Sequence, residues 1–303
     1  MSHDLLVTGA GGFVGRHVCN ALTIAGTDFI RSDTDITDRE KVRAMIGNIR
    51  PKYCLHMAAI AAVGVAHAYS ERAWKVNLYG TLNIAEAIRD LVPDCRMIFI
   101  SSSDIYGASF RSSVPLDEQA LLSPLNTYAA TKASADLALG AMAASGLSLL
   151  RIRPFNHTGP GQAPDFVVPA FARQIASIEA GLSPPVIKVG SLSAERDFLD
   201  VRDVAQAYVS SIQAIETLPQ NTLLNLASGM PRRIEDILSA LLALSKVNIR
   251  IEVDPNRLRS SDIPRAVGNA ARARTILDWQ PTVPWEKTLA DVLDDWRKRI
   301  VSE

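Results

Sequence analysis

The chain has 303 residues, 48% of them hydrophobic, enough apolar content for a large core in one domain or two lobes. Its 32 lysines and arginines balance 32 aspartates and glutamates, so no net field recruits nucleic acid or a membrane surface. Cys19, Cys54 and Cys95 lie far apart without metal-ligand spacing, no apolar run spans a bilayer and no charged-then-apolar leader opens the chain, so a cytoplasmic, metal-free protein is expected.

In chain order, strand-like apolar runs at 5–8, 28–31, 53–57, 96–101 and 147–153 alternate with helical stretches at 12–25, 39–48, 74–91 and 128–144. Such alternation predicts βαβ units and a parallel sheet with helices on both faces. After residue 155 the pattern loosens. A Gly/Pro-rich passage precedes a helix near 168–180, a strand at 186–189, the charged segment SAERDFLDVRDVAQAY and a buried strand at 222–228. Helices near 233–245, 268–277 and 286–300 and a strand at 249–253 complete the tail. The expected fold is α/β, a Rossmann-type doubly wound parallel sheet with a smaller C-terminal α/β substrate lobe. The nucleotide-binding domain takes 1–155 with a returning segment at about 198–228, and the lobe takes 156–197 and 229–303.

Gly9, Gly12 and Gly15 follow the first strand at the mouth of a helix. Without side chains there, backbone N–H groups and the helix N-terminus can meet a pyrophosphate. Phe13 and Val14 fall within the same loop and complete the candidate cradle. Tyr128 and Lys132, four residues apart on a predicted helix, share one face. A neighbouring ammonium stabilises a phenolate and fits the phenol for proton transfer near neutral pH. At the end of the second strand, Arg31 and Ser32 suit the 2′-phosphate of NADP, whereas Asp33 offers a partner for the 2′-hydroxyl of NAD. NADPH is expected, with NADH left open. Past the fifth strand, RPFNHTGPGQ lies where an open parallel sheet delivers ligands. Gly159 and Gly161 are expected to let the chain turn past a bulky, doubly phosphorylated ligand, and His157 to be packed or capping rather than a base.

The ordered landmarks DITD (35–38), HMAA (56–59), NLYGT (77–81), SSSDIYG (101–107) and YAATK (128–132) resemble the extended short-chain dehydrogenase/reductase family. The resemblance implies that Asp35 and Ile36 lie by the adenine, that Ala58 and Ala59 line the cofactor, and that Asn77 supports the site. It implies Ser102 as the residue that polarises a carbonyl, Tyr128 as proton donor, Lys132 on the nicotinamide ribose, and Pro154 near the nicotinamide. Ser101 and Ser103 are the alternatives to Ser102, which strand alternation would turn away from it; Ser103 is kept among the substrate contacts.

The FNH triplet, the segment at 188–208 and RLRSSDIP (257–264) resemble the branch acting on GDP-mannose derivatives. That branch implies Asn156 on the substrate, Arg196 and Arg259 on the diphosphate, Asp262 on the nucleoside ribose, and Phe166, Val167 and Lys188 at the guanine. Arginine suits phosphate because its planar fork makes two bonds at once. Related dehydratases carry Glu where this chain has Asp104. The missing methylene sets the carboxylate back by about 1.5 Å, unfavourable for the proton transfer of a dehydration. The implied reaction is reduction of the C4 ketone of GDP-4-keto-6-deoxy-D-mannose to GDP-D-rhamnose, or to its C4 epimer GDP-6-deoxy-D-talose. A dehydratase or epimerase on the same substrates, or a silent NADP-binding regulator, are the alternatives, the last disfavoured by an intact Ser102–Tyr128–Lys132 set. The alanine-rich, charge-poor helix at 128–144 predicts close helix packing, within one subunit or between two copies; the resemblance implies that it forms, with helix 74–91, the intersubunit four-helix bundle of a homodimer.

Overall fold

Apolar runs become buried parallel strands where helices can cover both of their faces. The computed structural model describes residues 4–257 and 263–302. It begins β1 (Leu5–Thr8), α1 (Phe13–Ile24), β2 (Phe29–Ser32), α2 (Arg39–Ile49), β3 (Tyr53–His56), α3 (Val63–Ala68) and α4 (Ser70–Trp74). A π-helical segment, Lys75–Gly80, leads straight into α5 (Thr81–Leu91), followed by β4 (Arg96–Ile100). A 3₁₀ stretch at Ser103–Ser112 precedes α6 (Thr127–Ala144) and β5 (Leu149–Pro154). Then come β6 (Asn156–Thr158), α7 (Val167–Glu179), β7 (Val186–Val189), β8 (Glu195–Asp200), α8 (Val201–Ala214), β9 (Thr222–Leu226) and β10 (Pro231–Arg233). The chain ends with α9 (Ile234–Ala243), β11 (Arg250–Val253), β12 (Arg265–Ala266), α10 (Ala271–Leu277) and α11 (Trp285–Ser302).

One six-stranded parallel sheet runs β2-β1-β3-β4-β5-β9. Strand order reverses between β1 and β3, where open sheets leave a crevice for a ligand beyond the strand carboxyl ends. Alternate side chains divide the core. Leu5, Val7, Leu55, Ile98 and Ile152 pack with α1 and α8, while Leu6, Cys54, Met97, Phe99 and Leu149 pack with α2, α5 and α6. This is the expected Rossmann-type sheet. The smaller lobe centres on β8, which pairs with β6, β10 and β12, beside the two-stranded β7–β11 sheet and a core from α7, α9 and α11. Residues 198–200 thus lie in the smaller sheet. The return to the main sheet is made by α8, which packs on it, and by β9, which pairs with β5, and Leu277 and Trp279, at and just beyond the end of α10, join the same core.

Two places differ from the sequence pattern for identifiable reasons. The charged segment at 193–208 hides a strand and a helix, because its carboxylates are buried and satisfied from elsewhere in the chain. Asp197 accepts from the N–H groups of Ser228, Gly229 and Gly268, Asp200 from Arg202 and Thr288, and Asp203 from Thr282 and Val283. The helix expected at 74–91 is broken by the π-helical segment, where a Cβ on Gly80 would lie 2.7 Å from Ile36 Cδ1. Segments of this type tend to mark functional sites. Among the described residues no helix is long and apolar enough to cross a membrane.

Candidate active site

β1 ends in Gly9, whose φ of +74° and whose distance to Ala58 (a Cβ would sit 2.6 Å from its N) both require glycine. A Cβ on Gly15 would collide with Gly9 O, so this residue lets α1 pack onto the loop. Gly12 is the N-cap of α1 and supplies no side-chain cap, while Gly11 meets nothing within 4 Å. The first-turn N–H groups of α1 therefore remain available to an anion at the positive end of the helix dipole. That donor set fits the pyrophosphate of a dinucleotide.

Around the second strand the candidate residues divide. Arg31 is exposed, its guanidinium 5.5 Å from the Phe29 ring centroid. The Ser32 hydroxyl is engaged with Met45 Sδ at 2.8 Å and accepts from Thr34 N at 3.1 Å. Asp35 accepts from the N–H and hydroxyl of Thr37, which lowers its pKa and turns that oxygen inward on its own loop. Ile36 is buried, and Ala58 and Ala59 are half-buried just past β3. Phe13 and Val14 open α1; Val14 packs on the main core and Phe13 stacks on His157 at 6.4 Å.

The chemistry collects at the carboxyl end of β4. Ser102 caps the 3₁₀ stretch by accepting from Asp104 N at 3.2 Å, and its hydroxyl is near enough to the Tyr128 phenol to lower the phenol's pKa. Asn126 caps α6 by accepting from Ala129 N at 2.9 Å, so the helix starts in time to present Tyr128 in its first turn. Burial, and then the Asp104 carboxylate, push the phenol well above its usual pKa, against the lowering effect of Ser102. Lys132 is buried, donates to Ile100 O at 2.6 Å, and sits 4.2 Å from the Phe99 ring centroid. Burial brings its ammonium down to about 7, with Asp136 opposing. Asp104 stands electrostatically between Tyr128 and Arg196. Its pKa is raised by burial and pulled back by Arg196, whose own is lowered by burial and supported by Asp104.

Asn77 projects from the π-helical segment and is wholly buried. Its Oδ1 accepts from Ile60 N at 2.8 Å, and its Nδ2 donates to Ile60 O at 3.1 Å and to Thr131 Oγ1 at 3.0 Å. Thr131 in turn donates to Tyr128 O at 2.8 Å. Sequence reasoning passed over Thr131; the clue was a polar residue between Tyr128 and Lys132 on a helix otherwise rich in alanine.

The substrate residues are more dispersed. Pro154 is buried at the end of β5, Asn156 Nδ2 donates to Asp197 O at 3.4 Å, and Ser103 is buried at the start of the 3₁₀ stretch. Arg196 Nη1 donates to Glu195 O at 2.8 Å. Phe166 is the N-cap residue of α7, Val167 packs against the lobe core, and Lys188 is exposed on β7. Arg259 and Asp262 lie outside the described residues. His157 is packed, bonded through Nδ1 to Phe155 O at 2.9 Å, and burial lowers its pKa.

The glycines after it are corrected by the structure. A Cβ on Gly159 would overlap Val201 Cγ1 at the start of α8, so a side chain of this protein, not a ligand, fills that space. Gly161, at φ +92°, turns its N–H to Asp295 at 2.9 Å and its carbonyl to Arg16 at 3.1 Å. These residues dock the loop between α1, α8 and α11.

Residues 27–292 match the family model described as GDP-mannose 4,6 dehydratase. The chain is 32% identical over 308 aligned positions, 100% of both chains, to a GDP-6-deoxy-D-mannose reductase from Pseudomonas aeruginosa. It is 26% identical, over 90% of each chain, to a GDP-6-deoxy-D-talose 4-dehydrogenase from Aggregatibacter actinomycetemcomitans. The structure of RMD from Pseudomonas aeruginosa complexed with NADPH superposes with a TM-score of 0.88 at 30% identity, covering 97% of this chain and 99% of that one. With full-length similarity, the Rossmann-type sheet and the Ser102–Tyr128 pair in agreement, the chain belongs to the GDP-mannose 4,6-dehydratase family of extended short-chain dehydrogenases/reductases.

Proposed function

We propose that this chain reduces the C4 ketone of GDP-4-keto-6-deoxy-D-mannose with NADPH, giving GDP-D-rhamnose (GDP-6-deoxy-D-mannose). The observation that carries the reading is the meeting of Ser102, Tyr128 and buried Lys132 at the carboxyl end of β4, where Ser102 acts on the phenol and Lys132 bonds Ile100 O, in a sheet whose first strand leads into the uncapped glycine-rich start of α1. Full-length similarity to a reductase of that name supports the substrate. NADPH, when bound, supplies the hydride. Tyr128 arrives with its proton, because burial and Asp104 disfavour the phenolate, and gives it to the ketone oxygen as negative charge develops there. Ser102, oriented by Asp104 N–H, donates a hydrogen bond to the same oxygen. Lys132 holds the ribose hydroxyls in this reading, its ammonium supported by Asp136.

Of the pair expected there, Arg31 reads the 2′-phosphate in this proposal, because the Ser32 hydroxyl is engaged with Met45 and Thr34, and NADH remains a slower donor. Arg196 and Arg259 take the diphosphate, Asp262 the nucleoside ribose, Phe166, Val167 and Lys188 the guanine, and Ser103 and Asn156 the sugar. The main sheet is the nucleotide domain and the β8-centred lobe the substrate domain. Two copies associate through α5 and α6; Tyr79 and Leu137 are each 60% exposed on that side of one chain. Free, buried Cys19, Cys54 and Cys95 suit the cytoplasm. Similarity to a talose 4-dehydrogenase favours one second reading, the C4 epimer as product.

Following NADPH absorbance with the keto sugar, and separately offering GDP-D-mannose with NADP, tests the proposal. NADPH loss with the keto sugar alone is expected. Dehydration of GDP-D-mannose would replace reductase by dehydratase, and cofactor binding without turnover of either sugar would leave a regulator.

A further inference from the structure

We infer that His56 is a positioning residue for Tyr128, acting through Thr81, Asn77 and Thr131. Thr8 and His56 are register partners at the carboxyl ends of β1 and β3, polar residues closing two apolar strands. Thr8, His56, Asn77, Thr81 and Thr131 are each at most 1% exposed. Buried polar groups of this kind need a complete set of partners, and here the set is continuous. His56 Nδ1 lies 2.7 Å from Thr8 Oγ1, and its Nε2 lies 3.0 Å from Thr81 Oγ1. Thr81 donates to Asn77 O at 2.8 Å, within the π-helical segment that interrupts the ordinary helical ladder. Asn77 carries the connection to Thr131, and Thr131 to the carbonyl of Tyr128.

The network also assigns the tautomer. The single Thr81 hydroxyl hydrogen is given to Asn77 O, so Thr81 Oγ1 accepts from Nε2–H of His56, and Nδ1 accepts from Thr8. Both ring nitrogens are then used, one as donor and one as acceptor, which only neutral imidazole satisfies. Burial, and then Lys132, hold the ring neutral by lowering its pKa to about 3. The ring is stacked on Phe99 at 6.1 Å, and the Lys132 ammonium is 4.2 Å from the centroid of that same ring. His56 thus touches neither reacting atom. It fixes the π-helical segment whose Asn77 amide clamps Ile60 on one side and the first turn of the catalytic helix on the other.

Displacement of Tyr128 by ~1 Å costs on the order of a hundredfold in rate, so the inference has a kinetic reading that rests on the reductase proposal. His56→Phe, which keeps the ring and removes both nitrogens, should lower kcat about tenfold to a hundredfold while KM for the keto sugar changes by less than about threefold. In His56→Gln the amide N–H reaches the Nε2 position and restores the Thr81 link; in His56→Asn only the Nδ1 position is reached. Gln should therefore recover most of kcat and Asn should not. Adding Thr131→Val to His56→Phe should cost little beyond either single change, since both cut one line of contacts.

Loss of kcat that is the same in all three His56 variants and follows their melting temperatures would overturn the inference, as would additivity with Thr131→Val. The ring NMR resonances of Tyr128 in tyrosine-labelled protein provide a readout without substrate. They should move in Phe and Asn and return in Gln. Wild-type protein that leaves NADPH unconsumed with the keto sugar would sink the reductase reading alone. The resonance pattern would still decide the role of His56, and unmoved resonances in His56→Phe would overturn it.

Discussion

Burial and Asp104 raise the pKa of Tyr128 and Lys132 does not lower it, the reverse of the expectation from the Tyr-Lys spacing, so the phenol carries its proton at neutral pH when the ketone oxygen needs one. Tyr128→Phe keeps the ring packing and removes the donor. It should lower kcat by roughly 10²–10⁴-fold while the Kd for NADPH changes by less than about twofold; an active Phe variant would remove Tyr128 from the mechanism. At the adenosine end Arg31 is exposed and Ser32 is already engaged, so in the proposed reading the arginine is the residue that meets the 2′-phosphate. A charge-assisted bond of about 1.5–3 kcal/mol corresponds to roughly ten- to a hundredfold. Arg31→Ala should raise KM for NADPH by about that factor and leave KM for NADH unchanged; parallel shifts would mean that Arg31 does not read the phosphate. The Tyr128–Lys132 pair and the glycines of the cradle were legible in the sequence because their logic is local, four residues along one helix and one turn between strand and helix. The Asp104–Arg196 coupling and the path from His56 to Tyr128 were not, because each joins segments that only the fold brings together.

The catalytic helix α6 is held at depth by charge rather than by apolar packing alone. Asp136, wholly buried, receives Arg153 through Nε at 3.0 Å and Nη2 at 2.8 Å, and Arg151 Nη1 at 2.8 Å. A Cβ on Gly140 would lie 2.8 Å from Arg151 Nη1, so that glycine gives the guanidinium its path across the helix. Both arginines belong to β5, and the carboxylate therefore locks the helix bearing Tyr128 and Lys132 to the strand that ends in Pro154. Breaking a buried pair from one side strands the remaining charges and costs about 3–5 kcal/mol. Asp136→Asn should lower the urea unfolding free energy by that amount, whereas Glu71→Gln in the exposed Glu71–Lys75 pair should leave it unchanged. Equal effects would mean that the buried cluster does not anchor α6. The parallel strands and their helices were visible as alternating apolar runs. By contrast, β8 and α8 were masked by Asp197, Asp200 and Asp203, residues that read as surface until their partners from distant loops are known. The same limit applies to Gly159, whose neighbour Val201 is remote in the alternation although close in space.

At the scale of the molecule, α6 turns Ala130, Ser134, Leu137 and Ala141 away from the core, with Leu137 60% exposed and no charge among them. Such a face is suited to a second copy of itself, since small residues let helices approach closely. Light scattering at micromolar concentration should give a dimer, and Leu137→Glu should shift it towards monomer; a wild-type monomer would place the closure of this face elsewhere. The two-lobed arrangement matters because Asp104 couples Tyr128 of the main sheet electrostatically to Arg196 of the β8-centred lobe. The central claim, that this chain reduces a 4-keto sugar nucleotide, is tested most directly by NMR of the product formed from GDP-4-keto-6-deoxy-D-mannose and NADPH. One equivalent of NADPH should be consumed for each GDP-D-rhamnose formed, with the C4 configuration of mannose. GDP-6-deoxy-D-talose would replace the proposed product by its C4 epimer, and unchanged keto sugar beside unconsumed NADPH would contradict the reductase itself.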